Sequence, residues 1–178
     1  MKGAYVFIPE QVVILLTGIP GAGKTTFAKN LARVHGFAHY DLEHYPCGWP
    51  HKELDLKRTW DCNRADFLAT IRQNNRRIVL DWGFPASHFP WVQELQDHGA
   101  RLIWFDGDVD RARKNYVERE LRIYSAAPER ELIEHFNQKW EAIQQAGYPG
   151  SLGCQVVQTL AATGTALDES QIESIVFP

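Results

Sequence analysis

The apolar positions of this chain fall into short continuous runs separated by helical stripes. Val12 to Leu16 is an unbroken aliphatic run, the pattern of a strand covered on both faces. Beyond a glycine-rich stretch, Phe27, Leu31 and Val34 recur near helical spacing. Phe37 to Asp41 predicts a short second strand. Leu54 to Asn74 predicts one helix, with Trp60, Phe67, Leu68 and Ile71 on one side and Asn74-Asn75 as its break. "RRIVLDWGFP" carries a third strand ending at Asp81. Pro90 to His98 predicts a helix stopped by Gly99. "ARLIWFDGD" predicts a fourth strand, after which Asp108 caps a helix running to about Ile123. Pro128 to Ala146 predicts a further helix, with Leu132, Ile133, Phe136, Trp140 and Ile143 inward and Gly147 as its stop. "CQVVQTL" predicts a fifth strand, and Asp168 to Val176 a closing helix.

Strands alternating with helices imply the α/β class, a parallel sheet joined by right-handed crossovers. Ligands of such sheets sit beyond the carboxyl ends of the strands. Gly18, Asp41, Asp81 and Asp106 each fall at the end of a predicted strand, so all four are expected on one rim.

Composition narrows this picture. A chain of 178 residues suffices for one buried core and is short for two, so residues 1–178 are read as a single domain. The net charge of -3 supplies no overall basic field for nucleic acid or an anionic membrane, although local basic patches stay open. Cys47, Cys62 and Cys154 are odd in number and scattered, which is no disulfide framework. "MKGAYVFIPEQ" lacks the apolar run and small-residue site of a signal peptide, and Val12 to Leu16 is far too short to cross a bilayer. The expectation is a cytoplasmic protein with no membrane partner. Nothing in the residues sets its oligomeric state.

The chemistry begins in "QVVILLTGIPGAGKTTFAKNLA". Gly18, Gly23, Lys24 and Thr25 fit G-x-x-x-x-G-K-[ST] without a mismatch, between a predicted strand and a predicted helix. Glycines at 18, 21 and 23 let the backbone turn and approach phosphate oxygens with no Cβ in the way. The N–H groups of the loop, Ala22 included, point inward, and the helix N-terminus adds partial positive charge. Lys24 is expected to reach the β and γ phosphates, Thr25 to ligate Mg²⁺, and Thr26 to help hold the α phosphate. Asp81, at the end of an apolar strand, can hold the metal's shell or cap its own loop.

"GIPGAGKTTFAKNLA" resembles the first loop and helix of small P-loop kinases of the adenylate/shikimate kinase type, within the P-loop NTPase superfamily. It is similar especially to the zeta-toxin-like or "AAA-family" small kinases. The order of motifs is similar from roughly Val12 to Val176, and the loop alone is highly specific. The resemblance implies a three-layer fold with a five-stranded parallel sheet in the order 2-3-1-4-5, a helical lid around residues 108–146, and ATP and Mg²⁺ as cofactors.

It also implies roles. The segment after the second strand of such kinases reaches the phosphoryl acceptor. Asp41 lies there and can orient a hydroxyl and accept its proton, with Glu43 as second choice; a cap is the structural alternative. By the same resemblance Asp81 can face the acceptor instead of the metal. Lid arginines neutralise charge on the transferred group. Among Arg111, Arg113, Arg119 and Arg122, Arg113 and Arg119 match that placement best, against a salt-bridged exposed helix. The Thr159–Thr165 loop is expected at the adenine.

His44, Cys47 and His51 make no standard zinc array, so "HYDLEHYPCGWPH" is read as an acceptor-side loop without structural metal. Arg58 and Arg64 suit either an anionic acceptor or a solvated helix face; Trp49 and Trp60 suit either stacking or the core. No guanine-reading N/T-K-x-D is present. The expected activity is ATP-dependent transfer of the γ-phosphoryl group to a hydroxyl of a small molecule. The alternatives are a kinase of a polynucleotide end or nucleotide-sugar, and a non-kinase ATPase or nucleotide-binding switch.

Overall fold

The computed structural model describes residues 11–43, 54–123, 128–160 and 168–177. His44, Cys47, Trp49 and His51, and the 161–167 part of the expected adenine loop, lie outside the described residues.

Five strands form one sheet: β1 Val12–Gly18, β2 Ala38–Asp41, β3 Arg77–Asp81, β4 Ala100–Gly107 and β5 Gln155–Leu160. All pairings are parallel and the order is β2-β3-β1-β4-β5. β1 is central, and Ile14, Leu15 and Leu16 are fully buried, which is why its sequence is apolar without alternation. Register brings Asp41 level with Asp81, Asp81 level with Leu16, and Gly18 level with Phe105. The expected common rim therefore exists.

The helices are α1 Lys24–His35, α2 Leu54–Cys62, α3 Arg64–Asn74, α4 Phe89–Asp97, α5 Val109–Ile123, α6 Glu129–Gln145 and α7 Glu169–Val176. They flank the sheet on both faces in the three-layer P-loop arrangement. α1 and α7 are clasped together, Asn30 Nδ2 donating to Glu173 at 3.2 Å and His35 Nε2 lying 2.9 Å from the same carboxylate. The other face carries an aromatic cluster, with Trp60 packed edge-on against Phe67, Trp82 and Trp91. Trp60 is thus a core residue.

One expected element is corrected. The single helix over Leu54–Asn74 is two, divided at Asn63. Asn63 is extended, and its side chain accepts the Asp66 N–H at 3.1 Å. A capping side chain that satisfies a first-turn amide starts a new helix more favourably than it continues an old one. The signal, Asn-Arg-Ala-Asp, is present in the sequence.

Candidate active site

The cavity at the carboxyl rim of the sheet has a volume of about 620 Å³. Its floor is the turn from β1 into α1. Gly18 has φ +133°, and a Cβ there would stand 2.0 Å from the Phe105 carbonyl oxygen. Gly21, at φ +82°, would collide equally with the Ala112 carbonyl. Both glycines are therefore required by backbone conformation and by neighbouring backbone together. The loop is braced from outside. Thr159 donates to the Ala22 carbonyl at 2.9 Å, and Asn115 Nδ2 to the Gly21 carbonyl at 3.2 Å. The Ala22 side chain is buried beneath the loop, whereas Gly18, Gly21, Gly23, Lys24, Thr25 and Thr26 line the cavity.

Lys24 Nζ donates to the Gly18 and Ile19 carbonyls, each at 3.1 Å. Burial pushes its pKa below the ordinary lysine range, Asp81 and Glu43 pull it back in part, and Arg119 and Lys139 press it lower. Arg119 and Lys139 line the same cavity as Lys24, so a polyanion bound there would meet three cations. Asp81 is 3% exposed. Burial alone would raise its pKa, but the His39 imidazole, the Lys24 charge and the Thr25 hydroxyl outweigh burial and hold it below the usual carboxylate range. Asp81 Oδ2 is buried with no hydrogen-bond partner, 3.7 Å from His39 Nε2, a separation too long for a hydrogen bond.

Asp41 is not brought into the cavity. It is buried, and its Oδ1 accepts the Glu43 N–H at 3.1 Å, the cap-like role that was its structural alternative. Glu43 takes the rim position instead, its Oε1 accepting the Gly83 N–H at 2.7 Å. Arg113 is likewise not among the lining residues. Its guanidinium bonds Asp110 at 2.6 Å on the exposed side of α5. Arg119 and Arg122 do line the cavity. The Arg119 guanidinium lies 5.2 Å from the Tyr116 ring centroid and donates to Glu120 at 2.6 Å.

Sequence reasoning missed Lys139, which lines the cavity from α6 and lies 5.5 Å from the same Tyr116 ring. No motif surrounds it. Tyr116 is held in turn by a 2.9 Å bond between its hydroxyl and His135 Nδ1. The reading also missed an aromatic wall formed by Phe84, Trp104 and Tyr148.

The chain has a P-loop kinase-like fold. A family model described as an AAA domain matches residues 14–98, which spans the phosphate loop through α4. Among solved structures, shikimate kinase from Bacteroides thetaiotaomicron superposes with a TM-score of 0.52 at 22% identity, covering 93% of this chain and 94% of that one. Shikimate kinase from Acinetobacter baumannii, in complex with shikimate, gives 0.56 at 13% identity with 93% of each chain covered. A gluconokinase from Sinorhizobium meliloti gives 0.50 at 15% identity, covering 96% of this chain and 91% of that one. At these identities the likeness is one of fold. No described helix is long and apolar enough to cross a membrane.

Proposed function

We propose that the protein is an ATP-dependent phosphotransferase that moves the γ-phosphoryl group to a hydroxyl of a small molecule. One observation carries the reading: a phosphate loop with its lysine and a rim carboxylate, Glu43, line the same cavity. The loop amides and Lys24 hold the phosphates. Arg119 and Lys139 face the charge that develops on the transferred group. Glu43 orients the acceptor hydroxyl and takes its proton as transfer proceeds. The acceptor oxygen forms a bond to the γ phosphorus as the bond from phosphorus to the β–γ bridging oxygen breaks. ADP leaves with that electron pair. Asp41 supports Glu43 through its backbone.

Mg²⁺ fits the residues present. A magnesium ion delivered on a triphosphate needs few protein ligands, and Asp81 offers a buried, unpartnered carboxylate oxygen beside Thr25. Asp81 and Thr25 would hold it, and it would supply charge neutralisation between the phosphates. Among the described residues no group of three or more His, Cys, Asp or Glu is gathered for a metal held by protein alone.

The test is label transfer from γ-labelled ATP to a panel of hydroxylated metabolites and an oligonucleotide, comparing the natural protein with Glu43→Gln. The amide keeps an acceptor for the Gly83 N–H but cannot take a proton. Labelled small molecule from the natural protein, with at least about a hundredfold loss in the variant, is the expected result. ADP release without any labelled product would instead identify an ATPase or switch, and label on the oligonucleotide a polynucleotide-end kinase.

A further inference from the structure

Two buried polar atoms at the edge of this site have no hydrogen-bond partner and lie beside each other. One is Asp81 Oδ2, the other His39 Nε2, and they stand 3.7 Å apart. The His39 and Asp81 side chains are only 10% and 4% exposed, so bulk water does not stand in for a partner. A buried polar atom left unpaired is unfavourable, and two of them side by side call for a physical account.

The sheet places them. β2 and β3 run parallel, with His39 level with Val79 and Asp41 level with Asp81. Side chains two apart on a strand share a face, so His39 and Asp81 lie on one face, one pleat period apart. Tyr40 and Trp82 turn to the other face, where they meet the Phe67 and Trp60 rings. The strand ladder fixes the backbone of both residues, which leaves the side chains as the freedom between them. A closure of about 0.7 Å brings the pair to ordinary hydrogen-bond length.

His39 is not among the residues that line the cavity, whereas Asp81 is. A ligand in the cavity therefore meets Asp81, and His39 acts on it through Asp81. An ionised carboxylate only accepts, so the imidazole nitrogen that faces it carries the hydrogen and donates. From the start of α1 the same carboxylate meets the Thr25 hydroxyl and the Lys24 charge. A donor held on a strand fixes the rotation of the carboxylate about its last bond and directs the remaining lone pairs. Without that donor the carboxylate is free to turn toward the Lys24 ammonium.

We infer that His39 is a positioning residue, whose Nε2–H fixes the Asp81 carboxylate in the orientation that takes the magnesium of Mg·ATP. This rests on the proposed reading of Asp81 and Thr25 as the protein ligands of that ion, and it does not depend on which acceptor is phosphorylated.

The test is calorimetry on the full chain with Mn·ADP, and with ADP in the presence of a chelator, for the natural protein and for His39→Gln, His39→Asn and His39→Leu. Glutamine carries an amide N–H about as far out as Nε2; asparagine is one methylene shorter, and leucine has no donor. His39→Leu and His39→Asn should each weaken Mn·ADP binding at least about tenfold, and His39→Gln should stay within about threefold of the natural protein. ADP without metal should bind every variant within about twofold of the natural protein, which a general packing defect would not give. In an Asp81→Asn background, itself at least about tenfold weaker for Mn·ADP, His39→Leu should add less than about twofold. Unchanged Mn·ADP binding in His39→Leu or in Asp81→Asn overturns the inference. So does a loss that His39→Gln shares in full, one that extends equally to ADP alone, or one that persists in the Asp81→Asn background. If His39→Leu fails to fold, the comparison of His39→Gln with His39→Asn decides, and equal affinities overturn it. The expected metal-dependent pattern without label on any acceptor leaves His39 in its role and counts against the phosphotransferase reading instead.

Discussion

Gly83→Ala separates positioning from stability in this site. A Cβ at residue 83 would stand 2.4 Å from Glu43 Oε1 and 3.5 Å from Glu43 Cδ, with no backbone atom near. The carboxylate oxygen must retreat from 2.4 Å toward the 3.4 Å of ordinary contact, a shift of about 1 Å, and its hydrogen bond from the Gly83 N–H is stretched or lost. That bond has a charged acceptor, for which about 1.5–3 kcal/mol is typical. Glu43 is exposed, so water replaces much of it, and a loss of at most about 1 kcal/mol in unfolding free energy is expected. Transfer is another matter. A reacting group misplaced by about 1 Å costs on the order of 100-fold in rate. The variant should therefore melt within a few degrees of the natural protein, bind Mg·ATP normally by calorimetry, and lose roughly two orders of magnitude in label transfer. Normal transfer would show that Glu43 does not act from the position the Gly83 N–H gives it. Loss of ATP binding as well would show that the acceptor rim and the phosphate loop are not separable.

Three further outcomes follow from the same geometry. Lys24→Met removes an ammonium that burial disfavours, so thermal unfolding of the free protein should not fall, while the rise in melting temperature on adding Mg·ATP should vanish; a retained rise would remove Lys24 from phosphate binding. Arg113→Ala should leave transfer within about twofold, and Arg119→Ala should reduce it by about 100-fold or more, measured with saturating acceptor; the reverse order would mean that α5 turns a different face to the substrate in the working enzyme. Asp81 has a folded pKa below its unfolded value of about 3.9, so it contributes stability that is fully present above that pH and is lost as pH falls through the folded value. Asp81→Asn should thus lower denaturant stability near neutrality, with the gap to the natural protein closing in acid; a gap that stays constant down to pH 2 would show that no such depression exists.

Several features were readable without coordinates because their signals are local. The phosphate loop needs glycines at particular backbone positions, and Gly18 and Gly21 show why: other backbone occupies the space a Cβ would fill. The strands were legible because β1 is buried on both faces and its sequence is continuously apolar. The break at Asn63 was missed, although a capping residue stands three positions before an aspartate, because helical periodicity on either side predicts one continuous helix.

What the linear pattern determined is the order of elements and the rim that carries the phosphate-loop motif. Which side chains reach that rim was decided by tertiary structure, for reasons of phase. Arg113 and Arg119 are six residues apart, about 240° around a helix at about 100° per residue, so one face of α5 cannot present both. Arg119 and Arg122, three apart, share the face that lines the cavity. Asp41 and Glu43 are separated by a bend beyond β2 that turns the first into a backbone acceptor and leaves the second at the opening. Lys139 and the aromatic wall arrive at one cavity from segments far apart in the chain, a convergence that no local pattern encodes.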